Sequence, residues 1–267
     1  MNKIIYYYQT FIGLQSILNN PIKTTTHIIV SSIHFGKDKN DELYIHLNDY
    51  PPQHTKFNQL WIDLKKAYEK GITIMLMIGG AGGAYSTWFE DEETYKKGLQ
   101  LLLNVISNNS FIKGIDLDIE ENVSLVNVQK VIRDLKTIYG NQFIITMAPV
   151  CNSLMYNYPG LGGFIYKDLV NTDEGKMIDW FNGQFYFQYS KDMFEKCVNN
   201  KYNPSKIIFG MISSNFVNNF DKALEEIKKV KQEYPNFGGV YIWEYCNSPP
   251  DNKNPCIWSQ EISKILH

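Results

Sequence analysis

The sequence predicts a single (β/α)8 barrel, the TIM-barrel fold, that spans residues 1–267 as one domain. Short β-branched or aromatic runs alternate with amphipathic segments along the whole chain. This alternation predicts a parallel sheet, and eight candidate strands are the number that closes a barrel. The length of 267 residues also suits one α/β barrel, which typically has ~250 residues.

The candidate strands are short apolar runs bounded by turn residues, as expected for strands buried in a parallel sheet. They are Lys3–Gln9, His27–Phe35, Ile72–Gly80, Gly114–Glu120, Phe143–Val150, Trp180–Phe187, Lys206–Ser213 and Gly239–Tyr245. An open doubly wound sheet is the alternative. Because Tyr8-Gln9-Thr10-Phe11 follows the first strand in place of a glycine-rich phosphate-binding turn, we favour the barrel.

The segments between the strands carry apolar residues at three- and four-residue spacing, which predicts helices with one face against a core. These helices are Phe11–Asn19, Asn58–Lys70, Glu92–Ile106, Ser124–Tyr139, Ser190–Val198, Phe220–Glu233 and Ser259–Leu266. The stretch Cys151–Asp179 contains Pro159 and several glycines, so we predict mostly a long loop there, with a short helix near Lys167–Val170.

Composition and charge argue against several classes of partner. A hydrophobic share of 44% and a charged share of 20% are ordinary for a soluble globular protein. The net charge of −2 argues against nucleic acid and anionic membranes as main partners. No apolar run reaches the ~18 residues of a transmembrane helix. The start of the chain is not typical of a secretory signal, so we expect a cytoplasmic protein, a removed leader or another export route. We also expect a monomer.

The cysteines and histidines give no metal pattern. The spacings of Cys151, Cys197, Cys246 and Cys256 match no zinc site, and free thiols are expected. A bridge between Cys246 and Cys256 across a loop is the alternative. We expect neither a metal nor a cofactor.

The most informative run is the fourth candidate strand. Side chains on a strand alternate between its two faces, so Asp116, Asp118 and Glu120 share one face and apolar residues share the other. In a barrel the apolar face packs against helices, so the acids point inward, at the C-terminal end where barrel active sites lie. Burying unpaired ions costs several kcal/mol each, so stability does not explain them. The alternatives are a solvated acidic edge strand or a divalent-metal site.

Crowded carboxylates suit proton transfer, because neighbouring anions raise one another's pKa and keep one acid protonated near neutral pH. Glu120 reaches furthest toward the open end and is the predicted general acid. Asp118 lies two residues behind and can exchange a proton or a hydrogen bond with it. The run therefore predicts acid catalysis.

This strand resembles the Asp-Gly-x-Asp-x-Asp-x-Glu signature of glycoside hydrolase family 18, the chitinases and endo-β-N-acetylglucosaminidases. Further segments agree with that family in order and position. They are Met77-Ile78-Gly79-Gly80, Met147-Ala148-Pro149, Gln184-Phe185-Tyr186 and Gly238-Gly239-Val240-Tyr241-Ile242-Trp243. The resemblance implies a barrel that hydrolyses β-1,4-linked N-acetylglucosamine polymers, chitin or chito-oligosaccharides, with substrate assistance and retention.

The resemblance also implies a role for each site residue. Glu120 would protonate the glycosidic oxygen while the 2-acetamido oxygen of the sugar attacks its own anomeric carbon. Asp118 would orient the acetamido N–H and stabilise the oxazolinium, and Asp116 would hold Asp118. Tyr186 would donate a hydrogen bond to the acetamido oxygen, and Trp243 would form the floor under the sugar. The other predicted substrate contacts are Gln184, Met147, Tyr8 and Gly80.

The chain departs from the family pattern at three positions. Lys113 replaces the first Asp near the barrel bottom, where we expect little effect. Met77 stands where the family has Ser, so weaker anchoring of Asp116 is expected. Phe187 stands where related segments carry Asn or Asp, so hydrogen bonding on the leaving-group side is expected to differ.

Other functions stay open on the sequence alone. They are an endo-β-N-acetylglucosaminidase acting on N-glycan cores, a lectin-like sugar-binding protein without turnover, and a metal-dependent barrel enzyme. Lectin-like relatives typically lose the acid at the Glu120 position, and it is present here. Tyr186 and Trp243 alone would also suit a barrel core. Gly79–Gly83 alone would suit a phosphate cradle, but it lacks the Lys and Ser/Thr of one. No long insertion separates the last two strands, where deep-groove members of the resembled family carry an extra domain, so the resemblance implies a shallow, open groove.

Overall fold

The computed structural model describes residues 2–267, which form a closed barrel with helices around it. Its strands are β1 (Lys3–Tyr8), β2 (His27–Lys37), β3 (Leu43–Leu47), β4 (Thr73–Gly79), β5 (Ile112–Asp118), β6 (Ile144–Met147), β7 (Trp180–Gln184), β8 (Ile207–Ile212) and β9 (Gly239–Trp243). All except β3 run parallel, and the pairing of β1 with β2 closes the barrel. The predicted (β/α)8 fold is confirmed.

The helices cover the outside of the barrel. They are α1 (Gln15–Leu18), α2 (Asn58–Glu69), α3 (Tyr85–Trp88), α4 (Glu92–Asn108), α5 (Leu125–Tyr139), α6 (Cys151–Met155), α7 (Tyr166–Val170), α8 (Asp173–Lys176), α9 (Lys191–Asn199), α10 (Phe220–Glu233) and α11 (Cys256–Leu266). Side-chain caps fix where the two longest, α4 and α5, begin. The Asp91 carboxylate accepts a hydrogen bond from the Thr94 amide at 2.7 Å before α4, and Ser124 caps α5 in the same way.

Three parts of the fold differ from the sequence-based prediction. Strand β3 was not predicted, and it extends β2 as an antiparallel hairpin beside the barrel mouth. The stretch Cys151–Asp179, predicted as mostly loop, contains the short helix expected near Lys167–Val170, which is α7, and two further short helices, α6 and α8. Every barrel strand except β2 also ends earlier than predicted, whereas β2 continues to Lys37. As a result Glu120 lies two residues beyond the end of β5.

The side chains of each barrel strand alternate between two layers. The outer layer packs against the helices and holds most of the core. The inner layer fills the barrel. It comprises Ile5, Tyr7, Ile29, Met75, Met77, Trp180, Ile208 and Tyr241. Polar residues such as Asp118 and Gln184 continue these inner rows toward the C-terminal ends of the strands, where a pocket opens.

Two smaller expectations concern the cysteines and the membrane. All four cysteines are free thiols, so the alternative bridge between Cys246 and Cys256 does not form. Within residues 2–267, no helix combines the length and the apolar character needed to cross a bilayer.

Candidate active site

A pocket of about 270 Å³ opens at the C-terminal ends of the barrel strands. Barrel enzymes carry their active sites at this end. The pocket is lined by Gln9, Ser32, His34, Met77, Gly79, Gly80, Ala81, Asp118, Glu120, Gln184, Tyr186, Ile212 and Trp243. The structure therefore gathers six of the predicted site residues into one wall, namely Asp118, Glu120, Gln184, Tyr186, Trp243 and Gly80.

Asp116 lies below this wall and is fully buried. Its carboxylate accepts hydrogen bonds from Tyr7 Oη at 2.7 Å, Thr146 Oγ1 at 2.5 Å and Asn182 Nδ2 at 3.0 Å. Burial raises the pKa of Asp116, while these three donors oppose the rise. Three donors hold the carboxylate, so Asp116 is anchored although Met77 stands in place of Ser.

Asp118 is the next acid up the strand and is also buried. It accepts one side-chain hydrogen bond, from Gln184 Nε2 at 3.2 Å. Burial raises the pKa of Asp118 well above its usual range, and the charges of Glu120 and Asp116 raise it further. The folded protein therefore holds a proton at Asp118 to much higher pH than an exposed aspartate would.

Glu120 follows the strand and is half-buried at the pocket mouth. The next residue, Glu121, fixes this part of the chain. Its carboxylate accepts hydrogen bonds from the Tyr85 and Ser86 amides and from Ser86 Oγ, the last at 2.8 Å. The loop after β5 is thus tied to the start of α3, which steadies the backbone that carries Glu120.

Tyr186, Trp243 and Gly80 complete the wall. Both aromatic side chains are half-buried, and burial raises the pKa of the Tyr186 phenol, so it stays a hydrogen-bond donor at neutral pH. Gly80 adopts φ +76° and donates its amide hydrogen to Asp118 O at 2.8 Å. A Cβ at Gly80 would lie 2.7 Å from Met77 Cε, so a larger residue would crowd the pocket.

Two of the predicted substrate contacts lie outside the pocket wall. Tyr8 points outward from β1, where its ring packs edge-on against Phe11 and its hydroxyl accepts a hydrogen bond from the Gly13 amide. Met147 is also fully buried in the outer layer and is absent from the pocket wall. Both side chains point to the outer face of their strands, away from the inward-facing residues, so the barrel wall separates them from the pocket.

The sequence-based prediction missed several inward-facing residues. Tyr7, Thr146 and Asn182 bind Asp116, and Tyr241 donates a hydrogen bond to Tyr186 Oη at 3.0 Å. Each lies on the inner face of a strand. A polar residue flanked by apolar ones, such as Thr146 in β6, was the available signal.

The two remaining departures from the family pattern lie outside the pocket wall. The Lys113 ammonium donates to Ser110 O and lies 5.2 Å from the ring centroid of Tyr68, near the start of β5. The side chain of Phe187 is 96% exposed. Lys113 is therefore remote from the pocket, while Phe187, directly after Tyr186, lines a separate recess with Tyr189 and Phe216.

The acids do not form a recognisable metal centre. Within residues 2–267, no group of three or more His, Cys, Asp or Glu side chains is arranged to hold a metal ion. The oxygens of Asp116 are instead occupied by protein donors. The arrangement suits proton transfer and the stabilisation of positive charge.

The inward residue of β1 gives a direct test of this geometry. We expect Tyr7→Phe to lower kcat about 10-fold, because it removes a hydrogen bond to a buried carboxyl group. Tyr8→Phe is the matched control. It should leave kcat within about twofold and lower the free energy of unfolding by about 1 kcal/mol. Steady-state kinetics and urea unfolding measure both effects, and a larger kcat loss in Tyr8→Phe would contradict the assignment.

The chain matches a protein-family model and a named relative. The family model described as glycosyl hydrolases family 18 matches residues 3–197. Chitinase 2 of Rhizopus oligosporus is 26% identical over 207 residues, which cover 68% of this chain and 35% of that protein. The chain thus spans about a third of the length of this relative.

Two solved structures resemble the whole chain. A fungal endo-β-N-acetylglucosaminidase from glycosyl hydrolase family 18 superposes with a TM-score of 0.91 at 30% identity, covering 100% of this chain and 99% of that one. A chitinase from Aspergillus fumigatus superposes with a TM-score of 0.85, also at 30% identity, and both chains are covered completely.

Proposed function

Because this chain belongs to glycoside hydrolase family 18, we propose that it hydrolyses β-1,4-linked N-acetylglucosamine chains by substrate-assisted catalysis with retention. One observation carries the proposal. Asp118 at the end of β5 and Glu120 just after it line a pocket that Tyr186 and Trp243 share, and Asp116 lies buried beneath them. A sugar that carries its own acetamido nucleophile needs one acid, one charge stabiliser and one donor, and this wall contains each of them.

In the first step the Glu120 carboxyl group donates its proton to the glycosidic oxygen. The bond from the anomeric carbon to that oxygen breaks, and the acetamido oxygen bonds to the anomeric carbon in its place. Asp118 accepts the acetamido N–H and stabilises the positive oxazolinium, while Tyr186 donates a hydrogen bond to the acetamido oxygen. Trp243 lies under the reacting ring.

In the second step water attacks the anomeric carbon, and the Glu120 carboxylate takes the proton of that water. The bond to the acetamido oxygen breaks, so two inversions at one carbon give net retention. Asp116 supports these steps from below the pocket, where three donated hydrogen bonds fix the position of its carboxylate. The acid is then restored for another cycle.

A second, polar recess adjoins the pocket and shares Gln9, His34 and Ala81 with it. It runs along the hairpin of β2 and β3. Its other residues are Thr10, Phe35, Tyr44, His46, Asn48, Asp49 and Gly82. Since sugar hydroxyl and amide groups need hydrogen-bond partners, this recess supports the binding of neighbouring sugar units and therefore endo cleavage.

The alternative substrate class is the N-glycan core. It is favoured by the TM-score of 0.91 with the fungal endo-β-N-acetylglucosaminidase, which exceeds the 0.85 of the chitinase. The same residues would then act on the linkage between two N-acetylglucosamine units of the core. The chemistry is shared, and only the loops around the pocket distinguish the two substrates.

Parallel assays of chito-oligosaccharides and a high-mannose glycopeptide separate these functions. We expect cleavage of the chito-oligosaccharides, an initial product of retained β configuration by NMR, and no loss of activity with EDTA. Cleavage of the glycopeptide alone would establish the second candidate. Binding of both without turnover would support a lectin-like role, and loss of activity with EDTA would indicate a metal enzyme.

A further inference from the structure

Tyr241 lies on the inner face of β9, and its side chain is fully buried. Its ring occupies the space beside Gly210, where a Cβ would lie 2.0 Å from Tyr241 Cε1. The ring also packs edge-on against Tyr7, with centroids 4.9 Å apart. Neighbours on both sides therefore hold the Tyr241 ring in one position.

The hydroxyl of Tyr241 has one hydrogen-bond partner within residues 2–267, the hydroxyl of Tyr186 at 3.0 Å. A buried hydroxyl proton needs an acceptor, because leaving it unpaired costs free energy. Tyr241 therefore donates and the Tyr186 oxygen accepts. Each phenol has a single proton, so the proton of Tyr186 has to point away from Tyr241. Tyr186 lines the pocket, which offers its proton an open direction.

We propose that Tyr241 is a positioning residue that fixes the direction of the Tyr186 O–H bond, so that its proton faces the acetamido oxygen of the bound sugar. The inference rests on the proposed function, in which Tyr186 donates that hydrogen bond. A donor oriented before the reaction needs no reorganisation while the acetamido oxygen attacks. Without Tyr241, the Tyr186 hydroxyl is free to turn and present a lone pair to the acetamido oxygen, which disfavours attack.

Burial raises the pKa of both phenols, and both are therefore protonated at any pH at which the enzyme would work. The charges of Asp118, Glu120 and Asp116 add to the rise in the pKa of Tyr186. Asp116 accepts a hydrogen bond from Tyr7, and Tyr186 accepts one from Tyr241. The hydrogen bonds that hold Asp116 are therefore separate from the bond between the two phenols. The direction of the Tyr186 proton is consequently set by Tyr241 and not by pH.

The test is the variant Tyr241→Phe, which removes the hydroxyl and keeps the ring. We expect kcat on chito-oligosaccharides to fall about 3- to 10-fold with KM within about twofold, because the lost hydrogen bond orients a donor and does not bind ground-state substrate. The matched control is Tyr202→Phe. Tyr202 is buried outside the pocket, and its hydroxyl has no hydrogen-bond partner in the described part of the chain, so wild-type rates are expected.

A double-mutant cycle distinguishes positioning from a general structural effect. Tyr186→Phe is made alone and together with Tyr241→Phe, and the second change should cause no further loss of kcat once the Tyr186 hydroxyl is absent. Losses that multiply independently would overturn the inference, as would an unchanged kcat in Tyr241→Phe beside an active wild type. A wild-type protein inactive on both substrate classes would overturn the proposed function, and the inference with it.

Discussion

Replacing Glu120 by Gln is expected to lower kcat on N-acetylglucosamine oligomers by about 10²–10⁴-fold. The change preserves the shape of the side chain and removes the proton that the leaving oxygen needs. Glu120 lies half-buried at the pocket mouth, and Glu121 holds its backbone in place. KM should change little, because the amide occupies the same volume and ground-state binding does not depend on the transferred proton.

The control for this prediction is Glu69→Gln, the same chemical change at an exposed position at the end of α2. It should leave kcat unchanged. Thermal unfolding of both variants checks that the fold is intact. Wild-type rates in the Glu120→Gln variant would show that another group donates the proton, while a large rise in KM with an unchanged kcat would indicate a role in binding.

Which side chains of β5 point into the barrel could be predicted from the sequence, because one face of this strand is acidic and the other is apolar. Asp116 and Asp118 alternate with isoleucine and leucine, so only one orientation puts apolar side chains against the helices. Three consecutive tyrosines precede the first loop and give no such contrast. The inward position of Tyr7 depends on pairing, since Ile5 lies opposite Tyr241 in the neighbouring strand.

The inward face could not be predicted for the strand that contains Met147 either. Strand β6 is apolar except for Thr146, and the family motif around Met147 does not state which face it occupies. The pairing of Asp116 with Thr146 settles this, because the threonine hydroxyl binds the carboxylate and Met147 then faces outward. Strand β3 was missed for another reason. It pairs antiparallel with β2 outside the barrel, and the alternation of parallel strands with helices does not indicate such a hairpin.

Replacing Asp118 by Asn is expected to lower kcat by about 10²–10³-fold, the usual effect of removing one preorganised electrostatic contact. The same change should stabilise the fold at neutral pH. Burial and the neighbouring acids hold the pKa of Asp118 well above its ordinary value of 3.8, so the folded state binds this proton more tightly than the unfolded state does. The free energy of unfolding therefore falls as pH rises through the interval between the two pKa values.

Asparagine is uncharged at every pH, so the variant lacks this loss of stability, and its oxygen can still accept the hydrogen bond from Gln184. We expect a gain of at least about 1 kcal/mol at pH 8, or roughly 2–4 °C in Tm, that disappears below about pH 4. Asp116→Asn is the matched control and should destabilise the fold. The side chains around Asp116 all donate hydrogen bonds to its carboxylate, and the NH2 group of an asparagine there would face a donor instead of accepting from it. Urea unfolding at both pH values measures these differences. Equal stability of wild type and Asp118→Asn at pH 8 would mean that the folded state does not bind the Asp118 proton more tightly than the unfolded state does.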